Sequence, residues 1–245
     1  MSGNANKPIV VFCDFDGTIT ERDMIISLME AFAPAGWEAI KDDILSQRIS
    51  VQEGVGKLFS LIPSAKRREL VRYVLETARI REGFAEFVAY CEENGIALLV
   101  TSGGIDFFVE PILQPYRKLD RVYCNRADFS GETIRIVWPH GCDELCDGGC
   151  GLCKPSIVRK YPAAHFTRVV VGDSVTDLKA ARLADLVIAR SLLLQKCVEE
   201  GLPHESFADF SDVLESIKRL QKSLNAHEPH QEARGAGGRY EGVSV

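Results

Sequence analysis

At 245 residues the chain is long enough for one large α/β domain, alone or with a smaller insert. Its residues are 46% hydrophobic and 26% charged, an ordinary globular balance, and the formal net charge of -6 argues against a broad nucleic-acid surface, which needs a basic patch. No apolar stretch approaches the roughly 20 residues that cross a bilayer, and the run behind the polar start is too short for a signal-peptide core, so the chain reads as cytoplasmic with no membrane partner.

Ile9 to Cys13 is an apolar run suited to a buried strand, and it stops at Asp14, Phe15, Asp16, Gly17 and Thr18. Residues two apart in a strand share a side, so Asp14 and Asp16 would face whatever lies at the strand's end. Two carboxylates there repel each other unless a cation lies between them; a plain turn is the rival reading. Helical spacing then takes over through Met24, Leu28 and Phe32, and through Trp37, Ile40 and Ile44. Ser50 with Glu53 resembles a capping box opening a helix through Leu58 and Ile62, and another runs from Leu70 to Ala78. Residues 20–79 thus form a helical insert placed to cap the acidic strand end.

The α/β pattern resumes with a helix from Phe84, closed by Gly95, and a strand Ile96–Val100 running into Thr101, Ser102, Gly103 and Gly104. A helix from about Ile105 to Leu113, a short strand at Val122–Cys124 and a hairpin from Asp128 to Trp138 follow. Pro155 suits the first turn of a helix ending near Tyr161. Arg168–Val171 is a strand leading into Gly172, Asp173, Ser174, Val175, Thr176 and Asp177. A helix, a strand at Leu186–Ile188, and helices near 193–200 and 212–220 complete the pattern. The expected fold is a Rossmann-like, mostly parallel sheet with helices on both faces, its core formed by residues 7–19 and 80–222. Residues 225–245 read as a disordered tail.

Eight cysteines fall into two groups. Cys13, Cys91, Cys124 and Cys197 lie in apolar or helical contexts and read as small core residues. Cys142, Cys146, Cys150 and Cys153 crowd the loop 139–154, with spacings near those of structural zinc sites. A redox-sensitive dithiol and thiols that merely cover the neighbouring site are the alternatives.

Three expected strands end in chemistry, at Asp14 and Asp16, at Ser102, and at Asp173 and Asp177, with Lys154 opening a helix between the last two. Ligands of open parallel sheets collect at such ends. The combination resembles the haloacid dehalogenase superfamily: Asp14-x-Asp16-Gly17-Thr18, a hydrophobic strand ending in Ser102, Lys154, and Gly172-Asp173-x-x-x-Asp177. The helices between the first two motifs look like a C1-type cap. The resemblance implies a phosphoric monoester hydrolase in which Asp14 is the nucleophile and Asp16 the general acid and base. It implies Mg2+ held by Asp14, the Asp16 carbonyl and Asp173, with Lys154 and Ser102 on the phosphoryl oxygens. Asp177 would position Asp173 or a metal-bound water, or simply cap its helix; Thr101 is a rival to Ser102, and Lys160 to Lys154.

Asp16 in the second-acid position favours a phosphatase over a dehalogenase. The order of elements is similar to phosphoserine phosphatase, including Ser102, Gly103, Gly104, Asn125 and Arg126. An acidic residue that grips the serine amine there would correspond to Asp23, but the cap arginine that grips the carboxylate falls near Leu58. That apolar replacement suits a partly apolar substrate. The run Cys13-Asp14-Phe15-Asp16-Gly17-Thr18-Ile19-Thr20, the cysteine loop leading into Gly151-Leu152-Cys153-Lys154, and Gly172-Asp173-Ser174-Val175-Thr176-Asp177-Leu178 resemble the methionine-salvage branch of the superfamily. That resemblance implies a small phosphorylated metabolite with an apolar tail, with Met24, Leu28, Leu58 and Phe59 as candidate contacts; helix packing is their ordinary use. Gly103 would lie against the substrate. The reading of a different class, an inactive metal-binding interaction protein, is weakened by four intact motifs. The oligomeric state is left open.

Overall fold

The computed structural model describes residues 7–116, 119–146 and 148–226. Asp147 and residues 227–245, hence nearly all of the expected tail, lie outside the described residues. Seven strands form one sheet: β1 (Ile9–Cys13), β2 (Ala97–Ile105), β3 (Arg121–Asp128), β4 (Arg135–Val137), β5 (Thr167–Gly172), β6 (Leu186–Ala189) and β7 (His204–Ser206). Their order is β4-β3-β2-β1-β5-β6-β7, and every neighbouring pair is parallel except β3 with β4. The central strand β1 has β2 on one side and β5 on the other, so the chain winds outward in both directions from it. A crevice opens at such a switch point, outside the strands' carboxyl ends.

β1 is buried throughout because both faces are covered. Its alternation splits two cores: Ile9, Val11 and Cys13 face one, Val10 and Phe12 the other. The first is closed by α5 (Phe84–Glu93), α6 (Asp106–Leu113) and α10 (Phe210–Ala226), where Phe84 and Phe210 meet edge to face. The second is covered by α7 (Lys154–Arg159) and α8 (Val175–Ala181), through Ile157, Val158 and Ala180. α9 (Ser191–Glu200) packs beside α8, and Leu193 and Cys197 form a small third core with Val187.

Residues 20–79 contain only helices: α1 (Met24–Phe32), α2 (Trp37–Leu45), α3 (Val51–Ser60), a short 3-10 turn at Ser64–Lys66 and α4 (Arg67–Thr77). Thr20 and Ile80 pair across the two chain crossings, flanked by the Glu21 N–H on the Arg79 carbonyl and the Arg81 N–H on the Ile19 carbonyl. Away from this neck, Pro63 pairs with Thr133 and the Ile134 N–H donates to the Ile62 carbonyl, so the helices also rest on the β3–β4 hairpin.

Four differences from the sequence reading have physical causes. β2 does not stop at Val100; it continues to Ile105 as a bulge, carrying Ser102, Gly103 and Gly104 opposite Cys124 alone. β3 runs on to Asp128 and supplies the hairpin's first strand itself. β7 is an edge strand of His204, Glu205 and Ser206, with no apolar alternation to announce it. α10 extends to Ala226, so the expected tail does not begin at Asn225. Half of the expected capping box is present: Ser50 Oγ accepts the Glu53 N–H, while the Glu53 side chain pairs with Lys57. No helix among the described residues is long and apolar enough to cross a membrane.

Candidate active site

β1 delivers Asp14 to the sheet's rim, its N–H still donating to the Val171 carbonyl of β5. The chain then makes one wide turn, Phe15–Ile19, closed by the Thr20 N–H on the Phe15 carbonyl at 2.9 Å. Gly17 has a φ of +75°, and a Cβ there would lie 2.4 Å from Asp173 Oδ2, so both backbone conformation and space demand glycine. Arg81, at the return crossing of the neck, pins this turn by donating to the Gly17 and Thr18 carbonyls at 2.8 Å each.

Lys154, first residue of α7, joins the motifs. Its Nζ donates to Asp14 Oδ1 at 2.5 Å and Asp177 Oδ1 at 2.6 Å, and none of the three side chains is more than 6% exposed. One oxygen of Asp177 meets the main chain at Asp173 and caps the helix, and the other makes a contact with Lys154 that the sequence did not announce. Asp177 Oδ2 accepts the N–H groups of Asp173 and Ser174 and completes a capping box on α8, while its Oδ1 holds Lys154. Asp14, Asp173 and Asp177 present carboxylate oxygens that all lie within 4.8 Å of one another. Lys160, the rival lysine, is instead over the Tyr123 ring.

Three carboxylates face one ammonium, and the balance shows in their proton affinities. Burial and then Asp177 lift Asp14 to about 8 despite Lys154, and the same two causes lift Asp173 to about 6. Burial alone would lower Lys154, yet Asp14 and Asp177 outweigh it and hold the ammonium above its ordinary value. The cluster is short of positive charge. Its oxygen donors and its size fit a hard divalent cation such as Mg2+.

Asp16 stands on the other side of the turn. Its Oδ1 accepts the Met24 N–H at 2.8 Å, and burial, then the nearby Asp23, hold its carboxyl well above the usual range. A Cβ on Gly104 would lie 2.9 Å from Asp16 Oδ2, whereas one on Gly103 would meet open space. Gly104 is therefore the sterically constrained glycine, not Gly103. Ser102 is fully buried, and its Oγ accepts the Gly104 N–H at 2.9 Å, which fixes the oxygen and leaves the hydroxyl proton to donate. Asn125 clamps the Gly103 carbonyl at 2.8 Å, while its own buried Oδ1 has no partner among the described residues.

The structure places the substrate contacts expected from the sequence as follows. Met24 and Leu58 are core side chains, and the Met24 main-chain N–H donates to Asp16. Leu28 and Phe59 are buried in the same core. Asp23 is exposed and caps α1 by accepting the Ile26 N–H. Arg81 escaped the sequence reading, and Gly104 and Asn125 were noted without a role; their partners are main-chain groups or residues distant in sequence, which no motif encodes. The thiols of Cys142, Cys146, Cys150 and Cys153 do come together, within 4.8 Å of one another.

Comparison with known proteins agrees with this geometry. Residues 11–182 match the family model described as haloacid dehalogenase-like hydrolase. A 2-hydroxy-3-keto-5-methylthiopentenyl-1-phosphate phosphatase of Geobacillus kaustophilus is 57% identical over 215 residues, covering 88% of this chain and 98% of that protein. The protein of the same name from Brevibacillus brevis is 57% identical over 221 residues, covering 89% and 99%. Among solved structures, a substrate-bound phosphoserine phosphatase superposes with a TM-score of 0.64 at 19% identity, over 86% of this chain and 98% of that one, a likeness of fold. Sharing the family's match over most of its length and more than half its residues with curated relatives, the chain belongs to the haloacid dehalogenase-like hydrolases.

Proposed function

We propose that this protein is a Mg2+-dependent phosphatase acting through an aspartyl-phosphate on Asp14. Its substrate is 2-hydroxy-3-keto-5-methylthiopentenyl-1-phosphate, dephosphorylated to an acireductone in methionine salvage. One observation carries the reading: Asp14 and Asp177 meet on the buried Lys154 beside Asp173, in a chain 57% identical to relatives bearing that enzyme's name.

An Asp14 oxygen attacks phosphorus, the ester P–O bond breaks, and Asp16 gives its proton to the departing enol oxygen. The raised proton affinity of Asp16 suits it to hold that proton at neutral pH. Asp16 then takes a proton from the water that attacks the phosphoryl group, the bond to Asp14 breaks, and phosphate leaves. Lys154 sets a positive charge beside the transferring group, and the Ser102 hydroxyl donates to its oxygens. Asp14, Asp173 and the Asp16 carbonyl would hold Mg2+, which when bound supplies the charge that lets a carboxylate approach a phosphate ester. Asp177 positions Lys154 and the main chain at Asp173. With Asp14 and Ser102 buried, substrate reaches them when helices α1–α4 swing as a cap about the Thr20–Ile80 neck. Opening releases the contacts of Pro63 and Ile62 with the hairpin and of Gln52 with Gly149, which seat the closed cap.

Asp14→Asn tests the chemistry: turnover should fall by about 10⁴-fold or more, and acid-quenched protein should carry no phosphate from substrate. Normal hydrolysis by that variant overturns the assignment. Parallel assays of phosphoserine and the enol-phosphate test the substrate, and a clear preference for phosphoserine overturns that half.

A further inference from the structure

The loop before Lys154 is held by scattered contacts and not by regular elements. Among its described residues, 139–153 contain neither helix nor strand, and Leu145 is 76% exposed. Yet this stretch gathers four free thiols, of Cys142, Cys146, Cys150 and Cys153, with all Sγ atoms within 4.8 Å of one another. Gly149 and Gly151, at φ +56° and +72°, turn the chain back to make this possible. Zinc with Zn–S bonds of about 2.3 Å has tetrahedral S–S edges of about 3.8 Å. The Cys146–Cys150 separation is 3.7 Å.

The surroundings suit a closed, anionic metal site. Four thiolates on a divalent ion carry a net charge of about two negative units, which neighbouring cations must offset. Lys179, from α8, places its Nζ 3.9 Å from Cys146 Sγ. Arg159, from α7, pairs with Asp143 inside the loop. The loop also touches two other parts of the molecule. Cys153 is the residue before α7, so its thiol position sets where Lys154 begins. The Gly149 carbonyl accepts the Gln52 N–H at 3.0 Å, satisfying a free donor at the start of α3. A Cβ on Gly151 would lie 2.9 Å from the Trp138 ring, so the loop is packed closely there.

We propose that Cys142, Cys146, Cys150 and Cys153 bind one zinc ion as a structural tetrathiolate, distinct from the carboxylate cluster, and that this knot fixes Lys154 and seats α3 against the core. On binding, each thiol gives its proton to solvent and its sulfur to the metal, with no change of oxidation state.

Metal analysis of protein purified without chelator tests this directly. One zinc per chain is expected, released in full when a mercurial titrates the thiols. Cys142→Ser, at the exposed member, should lower zinc affinity by about 10²-fold or more while circular dichroism stays unchanged. Chelated protein and the variant should both be cut faster by protease within 139–153. Protein without zinc, whether its eight cysteines titrate as free thiols or Cys146 and Cys150 are found as a disulfide, overturns the proposal. Zinc content is read without substrate, so the result stands whichever phosphate ester the enzyme hydrolyses.

Discussion

Two clusters of candidate metal ligands lie on either side of one peptide bond, Cys153 to Lys154, and they are assembled in opposite ways. The thiols come from a single loop of twelve residues and reach one another through local turns. The carboxylates come from the ends of β1 and β5 and from α8, more than 150 residues apart at the extremes, and Lys154 crosses from a fourth place to join them. Exposure differs too: Cys142 is open to solvent, whereas Asp14, Asp177 and Lys154 are buried. Soft sulfur in a compact loop suits a metal that stays, and hard oxygen around a lysine suits a divalent cation that shares its coordination with substrate. Local assembly makes a staple, and long-range assembly makes a reaction centre.

The largest expected effect comes from breaking the bridge between the two. Lys154→Met should lower turnover by about 10³-fold and cost about 3–5 kcal/mol in urea unfolding of the metal-free protein, because Asp14 and Asp177 are left buried without their cation. It should leave zinc stoichiometry unchanged; loss of zinc in that variant would show that the clusters are not separable. A middle-sized effect is expected for Gly17→Ala, whose Cβ would strike Asp173 Oδ2. Turnover at saturating Mg2+ should fall about 10²-fold, and half-maximal activity should need more Mg2+. An unchanged Mg2+ requirement would separate Asp173 from the metal. Smallest is Lys179→Ala on the thiol side: zinc affinity should weaken by about 10-fold in a competition titration, with phosphatase activity in excess zinc and Mg2+ unaltered.

Periodicity and spacing made much of this protein legible. The apolar run Ile9–Cys13 with acids two apart, the helical stretch that follows, and Lys154, Asp173 and Asp177 near element ends were readable because each signal is carried within a few residues; Ser102 was readable too, although it lies inside β2 and not at its end. The same holds for the thiol loop, whose members are too close in sequence to be far apart in space. Other features are silent at that range. Arg81 holds main-chain carbonyls, which have no residue signature. Gly104 must be glycine because Asp16, from a different strand's end, comes within reach. For Met24 and Leu58 the sequence offered substrate contact and helix packing alike, and both side chains lie in the core.

By itself the sequence determined most of the strands and helices, the acids and lysine at their ends, and the thiols gathered in one loop, since these follow from short-range alternation and turn chemistry. Only the tertiary structure decided that Lys154 bridges Asp14 and Asp177, that Asp177 divides its two oxygens between a helix cap and that lysine, and that Gly17 lies against Asp173. Those contacts depend on β1 lying between β2 and β5, an order set by how the whole sheet buries its two faces.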